Sequence, residues 1–138
     1  MPFSFRLQKV LEYRRTQEGE AKQVFLDKRA ATIEAEARIS AIQAHRQQVL
    51  HEPVADLAGF LGLEARLAKS DDEERHEVAA LGVLRDEEAA AEEIWHERRR
   101  DLEAISRLRE RALQEWQLDE DRKEQAALDE WANHRRAA

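Results

Sequence analysis

Cysteine is absent from the 138 residues, and glycine (four), proline (two), methionine (one) and tyrosine (one) are scarce. Without Cys there is no disulfide framework, thiol nucleophile or thiolate metal site, which suits a reducing compartment. With proline only at positions 2 and 53, almost nothing interrupts a helix. No run approaches the ~18 apolar residues of a membrane span, and Met1-Pro2-Phe3-Ser4-Phe5-Arg6 lacks the apolar core of a signal peptide. Bulky apolar side chains are few as well. Leu, Ile, Val and Phe number 30, and 23 of the residues counted as hydrophobic are Ala. That is little bulk for a globular core.

What the chain has is charge, 38% of all residues, well above the ~25% of ordinary globular domains. High charge with few breakers points to long solvated helices. The formal net charge of −7 disfavours a general nucleic-acid binder. Its distribution is uneven: residues 1–50 hold nine Lys/Arg and six Asp/Glu, whereas 51–138 hold 14 and 24. A basic first segment beside an acidic second one suits two helices lying side by side.

The spacing predicts a first helix over about 4–52, with Ser4 as its cap and Pro53 as its stop. Its apolar stripe includes Leu7, Val10, Leu11, Val24, Phe25, Ile39, Ile42 and Val49, and the polar Arg14, Gln17 and Lys28 fall on the stripe. Residues 53–69, with Gly59 and Gly62, are expected to form a turn or short helices. Ser70-Asp71-Asp72-Glu73 has the form of a capping box, so a second helix is expected over about 71–136. Leu81, Leu84, Ala91, Trp95, Leu102, Ile105, Ala112 and Trp116 follow alternating steps of three and four. Past Trp116 the repeat slips, and Leu128 and Trp131 sit on a rotated stripe. The expected fold is all-α: a single domain, 1–138, built as a long antiparallel two-helix coiled-coil hairpin. Its seam is expected to use Leu7, Val24, Ile42, Leu81, Trp95, Leu102, Ile105 and Trp116.

Catalytic patterns are weak. Glu-x-x-His occurs at Glu73–His76 and Glu93–His96, the spacing of di-iron carboxylate bundles, but both copies lie on one helix about 30 Å apart. His45, His51 and His134 form no ligand cluster, and no phosphate loop or nucleophile motif occurs. Arg98-Arg99-Arg100 is flanked by Glu97 and Asp101, unlike a DNA-binding basic region. No enzyme activity, cofactor, metal or nucleic acid is expected, leaving surfaces that recognise other proteins.

Two ordered motifs at opposite ends narrow the choice. Phe5-Arg6-Leu7-Gln8-Lys9-Val10-Leu11-Glu12-Tyr13-Arg14, with Glu18 beyond it, resembles the opening of the flagellar export protein FliJ family. Leu108-x-x-Arg111 and Arg122-Lys123-Glu124-Gln125-Ala126-Ala127-Leu128-Asp129-Glu130-Trp131-Ala132 resemble that family's closing pattern. The resemblance implies a cytoplasmic component of the bacterial flagellar type III export apparatus, peripheral at the inner face of the inner membrane and monomeric alone. Its partners would be the hexameric export ATPase, the cytoplasmic domain of the export gate and the export chaperones. The resemblance assigns the ATPase-facing end to Arg6, Gln8, Arg14, Glu18, Arg122, Glu124, Gln125, Asp129 and Glu130. It also implies that the mid-chain end meets the gate; there Phe60, Leu63 and Leu67, three and four positions apart, form the candidate apolar patch. The alternatives are the equivalent stalk of a virulence injectisome, a central-stalk subunit of a rotary ATPase and a generic structural coiled-coil dimer.

Overall fold

The computed structural model describes residues 1–137 and is all-α. Helix α1 runs over Gln8–Leu50 and helix α2 over Leu57–Ala137, 43 and 81 residues respectively. The two long helices pack against each other. The chain divides into two units, Glu20–Trp95 and a second made of Met1–Gly19 with His96–Ala138.

In the Glu20–Trp95 unit, α1 and α2 are joined by residues 51–56 and run antiparallel. The partners show the direction: Lys28 pairs with Glu87, Arg38 with Glu77 and Arg46 with Asp71 and Glu74. As α1 ascends, α2 descends. The α1 face turned inward is Ala21, Phe25, Lys28, Thr32, Ala35, Ile39, Ile42, Arg46 and Val49, all buried or half-buried in strict steps of four and three. The α2 face answers in the same repeat from Leu63 through Leu67, Ser70, Glu74, Glu77, Leu81, Leu84, Glu88 and Ala91 to Trp95. This 3.5-residue period is the condition for two helices to keep one seam in contact. Phe25 and Trp95 stack across it, ring centroids 5.3 Å apart at 19°.

In the other unit the same repeat places Leu7, Leu11, Arg14 and Glu18 inward on the first segment. On α2 it places Arg98, Leu102, Ile105, Arg109, Ala112 and Trp116. Leu11 is only 2% exposed. The Trp116 ring lies 6.0 Å from Phe3, which precedes α1, and the Arg109 guanidinium sits 5.5 Å from the Phe3 ring centre. Beyond Glu120, every described α2 residue except Ala132 is exposed.

Several expectations need correction. The second helix does not begin at Ser70. Asp56 starts it: its Oδ1 accepts a hydrogen bond from the Gly59 backbone N–H at 2.7 Å, and its carbonyl accepts from that of Phe60 at 3.1 Å. Residues 57–69 then continue as ordinary helix, Gly59 and Gly62 included, since no glycine has positive φ. Ser70 is instead a buried seam residue, 6% exposed. Asp71 and Glu74 serve Arg46 rather than a helix start. The linker therefore shrinks from 53–69 to 51–56. Ser4 does not cap α1; the Phe5 carbonyl accepts from the Gln8 N–H at 3.1 Å, and the helix begins there. Val10 and Val24 leave the seam. Val24 is 50% exposed because its neighbour Phe25 holds the inward position, one residue or ~100° around the helix. Arg38 reaches Glu77 across the seam, and Lys123 pairs with Glu120 on its own helix.

Candidate functional site

The residues assigned to one end by resemblance fall into two separate groups within the unit that holds the chain start. Arg6 is exposed on the turn before α1, and Gln8 reaches Glu12 Oε1 at 3.4 Å. Arg14 is part of the seam: its Nη1 donates to Gln17 Oε1 at 3.1 Å and to Asp101 Oδ2 at 3.4 Å. Glu18, half-buried, is also engaged. This first group therefore sits beside the 101–116 stretch of α2.

The second group lies farther along α2, past the last seam aromatic. Arg122 pairs with Asp119 at 3.7 Å, Gln125 Nε2 donates to Asp129 Oδ1 at 3.1 Å, and Glu124 and Glu130 are exposed. Residues 121–137 amount to roughly 25 Å of helix at ~1.5 Å per residue. No part of the first segment covers them, because Phe3 already lies opposite Trp116. The structure therefore does not bring Arg14 to Asp129; its acidic neighbour is Asp101. On this bare stretch Trp131 is 60% exposed, with the Arg135 guanidinium 5.1 Å from its ring centre. His134, Arg135 and Arg136 occupy the last turn, the favourable sign for a helix C-terminus.

The mid-chain residues lie in the Glu20–Trp95 unit, across the turn and the first turns of α2. Leu63 and Leu67 are half-buried on the seam, whereas Phe60 is 47% exposed. Phe60 lies one step ahead of Leu63 in the same repeat, so the three share a helical stripe and differ in exposure. Leu57 and Leu61, three positions before and one after Phe60 on α2, are exposed as well, as are Leu50 and Val54 on either side of the linker's start. Arg66 Nη2 on α2 holds Glu52 Oε2 of the linker at 2.6 Å. That hydrogen bond keeps the Glu52 carboxyl below its ordinary value against an opposing effect of desolvation, and the charges of Arg66 and His45 lower it further by lesser amounts.

The Glu-x-x-His histidines His76 and His96 are both exposed, and no group of three or more His, Cys, Asp or Glu suited to a metal occurs among the described residues. No described helix is long and apolar enough to cross a membrane. The surface depressions are shallow; one lies beside Ile42, Asp72, Glu73, His76 and Glu77, and another beside Ala126, Asp129, Glu130, Asn133 and His134. The anchoring of Phe3 between Trp116 and Arg109 was missed in the sequence, although an aromatic just ahead of a helical repeat was a usable signal.

Residues 3–137 match the family model described as Flagellar FliJ protein. This chain belongs to the FliJ family. Neither the curated proteins nor the solved structures hold a significant match. The FliJ match spans both the covered seam and the bare end of α2, so both belong to the family's own extent rather than to an appended segment.

Proposed function

We propose that this FliJ-family protein is a stalk-like adaptor of the flagellar protein export apparatus. In this reading it engages the hexameric export ATPase with one end and the cytoplasmic domain of the export gate with the other, and it escorts export chaperones. The observation that carries the reading is the family match over 3–137 combined with the uncovered stretch of α2, residues 121–137. A lone helix studded with Arg122, Glu124, Gln125, Asp129 and Glu130 offers charged side chains on all sides, as entry into the pore of a ring requires. Arg6 and Gln8, on the first segment, would meet the rim. Arg14 would act mainly through the seam, since it already pairs with Asp101 there, and the half-buried Glu18 lies one step along the same repeat. The protein itself hydrolyses nothing in this scheme, and it works at the cytoplasmic face of the inner membrane through its partners.

The apolar surface of Leu57, Phe60 and Leu61 supports the gate contact, because exposed apolar clusters of this kind often mark protein-binding sites. The decisive experiment adds the protein to the purified export ATPase and measures ATP hydrolysis and ring formation. Wild type is expected to stimulate both. The double variant Asp129→Arg with Glu130→Arg, which touches no seam residue, is expected to stay helical and lose the stimulation. Full stimulation by that variant removes the bare helix from the binding scheme.

A further inference from the structure

Within the Glu20–Trp95 unit, α1 commits one face to α2, yet the opposite face is also apolar. Leu26, Ala30, Ile33, Ala37 and Ala44 are all exposed there, Leu26 at 42% and Ile33 at 54%. At ~100° per residue they fall in one stripe nearly opposite Lys28 and Ala35 and about 110° around from Phe25, roughly 150° from the middle of the inward face. The spacing runs Leu26–Ala30–Ile33–Ala37 in steps of four and three, with Ser40 and Ala44 continuing it. This is a second heptad repeat on the same helix. Large side chains stand at one core position and alanine at the other.

Charged residues flank the stripe by sign. Lys22 and Arg29 lie on one side, seven positions apart; Asp27 and Glu34 lie on the other, also seven apart. Each base precedes an acid by five positions, which is the offset that pairs flanking residues across two parallel helices in register. In the antiparallel arrangement the two basic flanks would face each other, as would the two acidic ones, at an energetic cost. The pattern is therefore complementary to itself in one orientation only.

We infer that this face of α1 pairs with the same face of a second copy, the two helices parallel and in register. Lys22 would then meet the partner's Asp27, and Arg29 the partner's Glu34. These side chains can be recruited: all four are exposed, Asp27 accepts from Gln23 on its own helix at 2.9 Å, and Arg29 reaches Glu88 at only 3.9 Å. Two large apolar side chains per copy make a small interface. The dimer is accordingly weak and concentration-dependent, with a dissociation constant on the order of 100 μM or above. This pairing does not depend on the export reading.

Sedimentation equilibrium of the full chain over a wide concentration range tests it. At low salt the mass should rise from 16.1 kDa toward twice that value, and raising the salt should weaken association several-fold. Because the chain has no cysteine, single variants at Leu26→Cys, Ile33→Cys and Ala37→Cys give clean disulfide trapping. A parallel pair cross-links like to like at all three positions, whereas Ala80→Cys on α2 does not. Lys22→Glu with Arg29→Glu should weaken self-association at least tenfold. Mixing that variant with Asp27→Lys/Glu34→Lys should restore a one-to-one dimer. A mass of 16.1 kDa at every concentration, cross-linking at only one of the three positions, or failure of the charge-swapped mixture to associate would each overturn the inference.

Discussion

The two units hold α1 against α2 by different means. In Glu20–Trp95 the seam combines large apolar side chains such as Phe25, Ile42, Leu81 and Trp95 with a series of ion pairs. Ala35, Thr32, Ser70 and Ala91 are small side chains buried along it. Cross-helix pairs then recur along its length, from Lys28–Glu87 and Arg85–Glu36 through Arg38–Glu77 to Arg46 with Asp71 and Glu74. In the unit holding the chain start, Arg14–Asp101 is a cross-helix pair of the same kind, and bulk comes from Leu11, Leu102, Ile105 and the Phe3–Trp116 contact. The lesson is that a seam needs large apolar side chains in the repeat to continue. Where they give out after Trp116, α2 runs on alone.

The largest expected effect sharpens the contrast between the two tryptophans. Trp95 stacks on Phe25, which is buried within α1, so Trp95→Ala should cost about 3 kcal/mol, measured by denaturant unfolding. Trp116 leans on Phe3, outside the helix, and Trp116→Ala should cost about half as much. Equal losses would mean that the two aromatic contacts are equally fixed.

Next comes charge. Arg46 is the most enclosed base in this series of ion pairs; its Nη2 bonds Glu74, while its buried Nε lies 3.3 Å from Asp71 Oδ1 without the alignment of a hydrogen bond. Arg46→Ala strands the half-buried Glu74 and should cost about 1–2 kcal/mol. Arg38→Ala, at a more exposed pair, should cost less than about 0.5 kcal/mol. If the two losses were alike, burial would not be what separates these pairs.

The apolar end of the Glu20–Trp95 unit offers a finer cut. Leu63→Ser with Leu67→Ser should lower the melting temperature by several degrees, since both are half-buried on the seam. Phe60→Ser with Leu61→Ser should leave it nearly unchanged and abolish pull-down of the gate's cytoplasmic domain. A stable Phe60/Leu61 variant that still binds the gate would move the contact elsewhere. Likewise, deleting 121–138 should change unfolding stability by no more than about 0.5 kcal/mol, because almost nothing there is covered.

The smallest effect is electrostatic and local. With the Glu52 carboxyl depressed in the folded protein, its contribution to stability is present above the ordinary carboxylate value and is lost as pH falls through the lowered one. A carboxylate titration followed by NMR should find Glu52 below its peers, and Arg66→Gln should bring it back up. An unmoved Glu52 would show that the 2.6 Å pair does not persist in solution.

Much of this was legible in the residues themselves. The scarcity of helix breakers, the opposed charge of the two halves and the alternating steps of three and four determined an all-α pair of antiparallel helices with Trp95 and Trp116 inward, and the end motifs pointed to the FliJ family. Local chemistry nevertheless misled at Ser70. A capping box is a signal about a helix end only if the preceding residues are not already helical, and Asp56 had started α2 fourteen positions earlier. Periodicity likewise could not choose between Val24 and Phe25, since a one-residue change of phase satisfies the same stripe. Only the packed seam decided that phase, by setting Phe25 against Trp95. It also decided that Arg14 meets Asp101 and that α2 outruns its partner. Such pairings depend on where one helix lies along another, and spacing within a single helix carries no information about that offset.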